Sequence, residues 1–122
     1  MNAAAAPLVV ASYRGGGFAV SGQKFTGSIL LFRERVAAWP PLGVDQIDAG
    51  ALAAMVADAL SPVELLLLGC GPRLVPVAPA LRQALKGIGV AVEPMDTGAA
   101  CRTFNVLTAE ERRVAAALIA VP

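Results

Sequence analysis

Short apolar stretches, separated by glycine, proline and polar turns, set the order of elements along this chain. Phe18-Ala19-Val20 and Lys24-Phe25-Thr26 flank Ser21-Gly22. Glycine accepts the positive φ of a tight turn, so this pattern predicts an N-terminal hairpin. An apolar strand follows at 28–32, and the alternating residues 33–38 extend it or form an edge. Trp39 before Pro40-Pro41 marks a corner, with the ring covering a core margin while the prolines break regular structure. Asp48 is placed to cap a helix whose Leu52, Met55, Val56, Ala59 and Leu60 fall on one face, and Ser61-Pro62 stops it.

The run at 64–68 is continuously apolar, as expected of a strand covered on both faces. A second helix is predicted over 77–86, with Leu81, Leu85 and Ile88 facing inward, Pro79 in its first turn and Gly87 at its end. Residues 89–93 read as another strand. Thr108 and Glu111 match a capping box, giving a last helix with Val114, Ala117, Leu118 and Val121 as its buried stripe. Alternation of strands and helices predicts an α/β fold, three-layer, with a largely parallel central sheet, helices packed on it and the N-terminal β-hairpin alongside. The expected division is a flexible Ala-rich terminus at 1–12 and one α/β domain at 13–122.

Composition narrows the function classes. The chain has 122 residues, is 57% hydrophobic and 16% charged, and has a mean hydropathy of +0.66, which excludes a disordered chain. Its apolar runs are too short to span a bilayer. A net charge of +1, with scattered Arg and Lys, supplies no basic stripe, so nucleic acid is not the expected partner. Cys70 and Cys101 lack the paired spacing of a zinc site, and there is no histidine to complete one. The expectation is therefore no metal, no cofactor, and reduced thiols in the cytoplasm. Composition leaves the oligomeric state open.

Chemistry gathers at the carboxyl ends of the strands, where open α/β sheets bind ligands. Two loops are expected to meet there. One carries Gly69, Cys70, Gly71 and Arg73; the other carries Met95, Asp96, Thr97, Cys101, Arg102 and Thr103. Arg73 is suited to grip a carboxylate or phosphate through its planar fork. The glycines match neither a dinucleotide fingerprint nor a Walker loop, and tight packing is the favoured reading of Gly98-Ala99-Ala100. Gly15-Gly16-Gly17 precedes a strand rather than a helix and is read as flexible lead-in.

Asp96 has two readings, general base or acceptor for turn amides, and the second is the commoner use. Arg102 is expected to pair with it. Cys101 beside an arginine fits a lowered pKa, but without histidine no Cys-His base arrangement is available, so a buried and inert pair of cysteines is favoured. No catalytic residue is assigned. A recognition surface on Arg14, Arg33, Arg35 and Trp39 is the interaction alternative to a solvated edge beside a packed ring.

Several segments resemble a known family: 18–30 (FAVSGQKFTGSIL), Leu68-Gly69-Cys70-Gly71, Leu81-Arg82, and above all 92–107 (VEPMDTGAACRTFNVL) continuing through 111–119 (ERRVAAALI). They are similar to the small domain of unknown function shared by many bacterial proteins and mitochondrial complex I assembly factor 3. The resemblance runs from about Tyr13 to Val121 and implies a compact three-layer α/β domain without an established reaction. The mitochondrial relative helps assemble respiratory complex I at the inner membrane, so the resemblance implies an assembly or scaffolding role with protein partners. The short N-terminus departs from the mitochondrial form and points to a bacterial or otherwise unprocessed cytosolic protein. The alternative is a domain or enzyme that binds a small anion or metabolite in the crevice.

Overall fold

A computed structural model describes residues 6–122. The elements are β1 (Val10–Ser12), β2 (Gly17–Val20), β3 (Gln23–Thr26), β4 (Ile29–Leu31), β5 (Val36–Ala38), α1 (Ala49–Ala57), β6 (Leu65–Gly69), α2 (Pro79–Lys86), β7 (Ala91–Met95), α3 (Thr97–Ala109) and β8 (Val114–Leu118), with a 3-10 turn at Val44–Gln46. The fold is mixed α/β with two sheets. β1, β2 and β3 form an antiparallel sheet in that order. The predicted hairpin is β2–β3, where Ser21 and Gly22 both take positive φ (46° and 86°), as a two-residue hairpin turn requires.

The larger sheet runs β5-β4-β8-β6-β7. β6 pairs in parallel with β7 and β8, whereas β4 pairs antiparallel with β5 and β8. The sheet is thus mixed, not largely parallel, because β4 enters from the hairpin in the opposite direction to the strands that follow helices. Alternate side chains feed two cores. On one face Leu66, Leu68, Ala115 and Ala117 pack with Leu52 and Val56 of α1 and Leu81 and Leu85 of α2. On the other, Leu67, Ala116 and Leu118 pack with Ala100, Cys101 and Phe104 of α3 and with Phe18 and Val20 of the small sheet.

The largest departure from expectation is at the C-terminal end. Residues 114–118 form a fully buried strand, and the preceding helix is α3, which begins at Thr97. Alanine has the highest helix propensity, and a short apolar run cannot reveal its period. Here tertiary burial overrides propensity: β8 is the middle strand, covered on both faces, and small side chains let both layers close on it. The capping-box reading of Thr108 and Glu111 fails too. The Thr108 hydroxyl donates back to the Phe104 carbonyl (2.8 Å), and Glu111 takes a positive φ of 61° in the turn that ends α3.

Smaller corrections follow the same logic. Leu60 and Ile88 are exposed rather than inward, since each lies past the end of its helix. Within the expected flexible terminus, Val10–Ser12 pairs with β2, and Asn105 fastens Val10 by accepting from its amide (2.9 Å) and donating to its carbonyl (3.0 Å). Residues 1–5 of that terminus lie outside the described residues. The glycine lead-in is paired: the Gly16 amide donates to the Val121 carbonyl (2.7 Å), and Gly17 opens β2 where a Cβ would overlap the Phe25 carbonyl.

Placing Ala117 in a doubly covered strand predicts that Ala117→Leu overpacks the core and lowers stability by about 1–3 kcal/mol. Urea unfolding measures this directly; a surface or loosely packed helix site would tolerate the change with an unchanged midpoint.

Candidate functional site

The carboxyl ends of β6, β7 and β8 lie side by side, with Gly69 in register with both Met95 and Leu118. The chain then leaves in opposite directions. After β6 it runs toward α2 on one face, and after β7 it enters α3 on the other. A crevice is expected where adjacent connections diverge in this way. Thr97 holds the rim together. Its hydroxyl accepts from the Gly71 amide (2.9 Å) and donates to the Ile119 carbonyl (2.7 Å), while its own amide donates to the Gly71 carbonyl (2.9 Å). Gly69 permits this approach, since a Cβ there would lie 3.0 Å from Thr97 Oγ1 and from a Leu118 methyl.

Two depressions flank the knot. The larger, about 710 Å³, lies among the loop after β6, the tail after β8, the 3-10 turn and the end of β3, and is lined by Leu42, Val44, Cys70, Gly71, Arg73, Val75, Ile119 and Val121, among others. It is mostly apolar, and Leu42 is 71% exposed at its edge. The smaller, about 360 Å³, lies at the start of α3 between Tyr13, Arg14, Gly71, Pro72, Asp96 and Gly98. Tyr13 rests on Gly98 so closely that a Cβ there would lie 2.7 Å from its hydroxyl.

The predicted adjacency of the two connections is present, but the ten candidate residues do not share one cleft. Cys70, Gly71 and Arg73 line the apolar depression, and Gly71 and Asp96 line the notch. Because α3 begins at Thr97, it carries Cys101, Arg102 and Thr103 along the opposite face, where they line neither depression. Met95 is half-buried against the α3 core, and Gly69 and Thr97 are the structural knot.

Asp96 caps α3 by accepting from the Ala99 amide (2.9 Å). It makes no ion pair with Arg102 among the described residues; Arg102 instead donates to the Tyr13 hydroxyl (3.3 Å). The first-turn amides of α3 are largely occupied. Thr97 donates to Gly71, Ala99 to the Asp96 side chain and Ala100 to the Asp96 carbonyl, which leaves little of the helix end to hold an anion.

The alternative arginine surface divides as well. Trp39 is buried, Arg35 lies over the Phe32 ring (4.9 Å), and Arg33 donates to the Thr108 carbonyl (3.2 Å), while Arg14 sits at the opposite rim in the notch. Tyr13, Leu42, Val44 and Val75 were missed as lining residues by sequence reasoning. The available signal was the pair of proline-bounded apolar segments, Pro41-Leu42-Gly43-Val44 and Leu74-Val75-Pro76-Val77, which belong to no predicted strand.

Comparison with known proteins adds to this geometry. A family model described as "Protein of unknown function (DUF498/DUF598)" matches residues 10–119. An uncharacterized protein of Rhodobacter capsulatus is 38% identical over 118 residues, covering 97% of this chain and 89% of that one. The NADH dehydrogenase [ubiquinone] 1 alpha subcomplex assembly factor 3 of Xenopus tropicalis is 34% identical over 113 residues, covering 92% of this chain; the chain spans 61% of that protein's length. A crystal structure of a Bordetella parapertussis protein superposes with a TM-score of 0.85 at 39% identity, covering 97% of this chain and 99% of that one.

The thiols sit on opposite faces of the sheet, Cys70 toward α1 and α2 and Cys101 toward α3. Burial pushes the Cys101 thiol up from 9.0 to about 12; the Arg102 charge opposes this and Asp96 adds to it. A raised folded-state value means that stability is fully present below pH 9 and is lost as pH climbs toward 12, where the unfolded chain releases a proton that the native thiol keeps. Ellman titration of the native protein at neutral pH is expected to leave Cys101 unmodified. Urea unfolding at pH 8 and 10 should show a loss of stability in wild type that is smaller in Cys101→Ala. Rapid native labelling would contradict the assignment.

Proposed function

This chain belongs to the DUF498/DUF598 family of proteins of unknown function, and from that premise we propose that it is a protein-binding domain serving assembly of a larger complex, not an enzyme. The observation that carries this reading is the apolar depression at the strand rim, where Leu42 is 71% exposed and Leu74, on the neighbouring loop, 56%. Large apolar side chains left in water at a concave site stabilise an interface when a partner covers them. Of the polar candidates, Asp96 is engaged in a helix cap and Thr97 in the knot, and Cys101 is a buried thiol away from the depression, which leaves Arg73 as the exposed charged candidate at its rim.

The name of the Xenopus relative supports a respiratory complex as the object assembled. No helix among the described residues is long and apolar enough to cross a membrane, so contact with a membrane-embedded complex is proposed to run through protein partners. We place that role in the cytoplasm. The alternative, capture of a small anion, finds its best support in Arg14 within the notch at α3. It is the weaker reading, because most first-turn amides of that helix already have acceptors.

Deleting the gene in the source organism and resolving membrane complexes on native gels tests the assembly role. The expected outcome is loss of fully assembled NADH dehydrogenase with accumulation of partial complexes, restored by the wild-type chain. Normal levels of the assembled complex in the deletion strain would overturn it.

A further inference from the structure

An apolar depression at the strand rim adjoins a second that reaches the starts of α1 and α2, and the two together make a trough. The rim depression of about 710 Å³ shares Val44, Asp45 and Val75 with a second of about 290 Å³, whose floor is made by the core residues Leu68 and Leu81. One wall is the segment 74–78, which belongs to neither helix nor strand. Prolines at 72, 76 and 79 shape it. Residues before proline favour extended backbone, and Ala78 has φ −61° and ψ 139°.

The backbone of this wall is unusually free. The amides of Leu74, Val75 and Val77 donate to no other described residue, and the Val75 carbonyl accepts only from Cys70 Sγ (3.6 Å). The prolines keep the segment out of the chain's own sheet, since each removes a donor and fixes φ. What results is an apolar channel with Leu42 at its lip and a wall segment whose backbone groups have few partners among the described residues. At the rim end stands Arg73, exposed and in no ion pair among the described residues.

We propose that this trough docks an extended peptide segment of a partner protein, with apolar side chains at alternate positions and a carboxylate at the end facing Arg73. This deepens, and rests on, the protein-binding reading above. An extended strand presents its own amides and carbonyls to the wall while every second side chain enters the trough. A helix would satisfy its backbone internally and leave the wall unpaired. A flat bilayer would pair none of the wall's amides and would not reach the floor at Leu68. The carboxylate is placed at the rim end by charge: Arg73 lines only the rim depression and is in no ion pair among the described residues, whereas Asp45 lines both depressions and disfavours an acidic residue where they adjoin.

The test is a displayed library of random dodecapeptides selected against the full chain, followed by synthesis of the enriched sequences. Enriched peptides are expected to share apolar residues at every second position and Asp or Glu near one end. Their affinity should fall more than about tenfold in Leu42→Asp. Arg73→Glu should switch the preference to a basic end. Both positions are exposed, so both variants fold, as thermal melting checks. In amide NMR spectra, the signals of Leu74, Val75 and Val77 should shift on binding and exchange more slowly.

Failure to enrich any peptide, enrichment at helical spacing, or binding indifferent to both substitutions would overturn the trough. So would Leu42-dependent association with phosphatidylglycerol vesicles or with a second copy of the chain. The assembly role has its separate readout in the deletion strain, so a partner that binds elsewhere would remove the trough and leave that role intact.

Discussion

One buried hydroxyl determines how the strand rim is built. Thr97 is fully buried, and through it the ends of three strands are tied: β6 by way of the Gly71 amide, β7 by the chain itself, and β8 by way of the Ile119 carbonyl. A threonine hydroxyl both donates and accepts, so it can satisfy one of each in a place water does not reach. Leaving either backbone group unpaired there costs about 1–3 kcal/mol, a large share of the net stability of a small domain. The position is available only because Gly69 has no Cβ to keep α3 away. The paths of the loop after β6 and of the tail after β8 follow from that contact, and those two segments line the apolar depression.

Local signals explain what the sequence made legible. The hairpin follows from Ser21-Gly22, α1 from the Asp48 cap and its apolar stripe, and β6 from a run of four leucines; each is set by neighbours in the chain. The strand β8 was not legible. Three consecutive alanines favour helix locally, and what makes them a strand is burial between Leu30 and Leu66 on one face and Leu31 and Leu67 on the other, all of them distant in sequence. Thr108 and Glu111 have the spacing of a helix start yet sit at a helix end, because letter spacing carries no direction of packing.

The rim divides along the same line. That the connections after β6 and β7 emerge together was legible, since topology alone places them. That α3 begins at Thr97 and removes Cys101, Arg102 and Thr103 from the crevice was not: the glycine and alanines that let α3 pack tightly look the same as those of a permissive loop. Tyr13 and Arg14 reach the notch by the pairing of β1 with β2 and the Asn105 clasp, both long-range. Asp96 and Thr97 are taken up in a helix cap and a buried knot, and Leu42 and Leu74, close to prolines, were left facing water. That inversion is the basis of the protein-binding reading proposed above.

Native-state hydrogen exchange at the Gly71 amide tests the central contact most directly. The amide sits in a glycine turn with positive φ (101°) outside any regular element, where loop amides ordinarily exchange fast. If Thr97 governs the rim, this amide exchanges only with global unfolding in wild type and in Thr97→Ser, and becomes fast in Thr97→Val. Exchange at the rate of the exposed loop amides in wild type, or protection unchanged in Thr97→Val, would contradict the account.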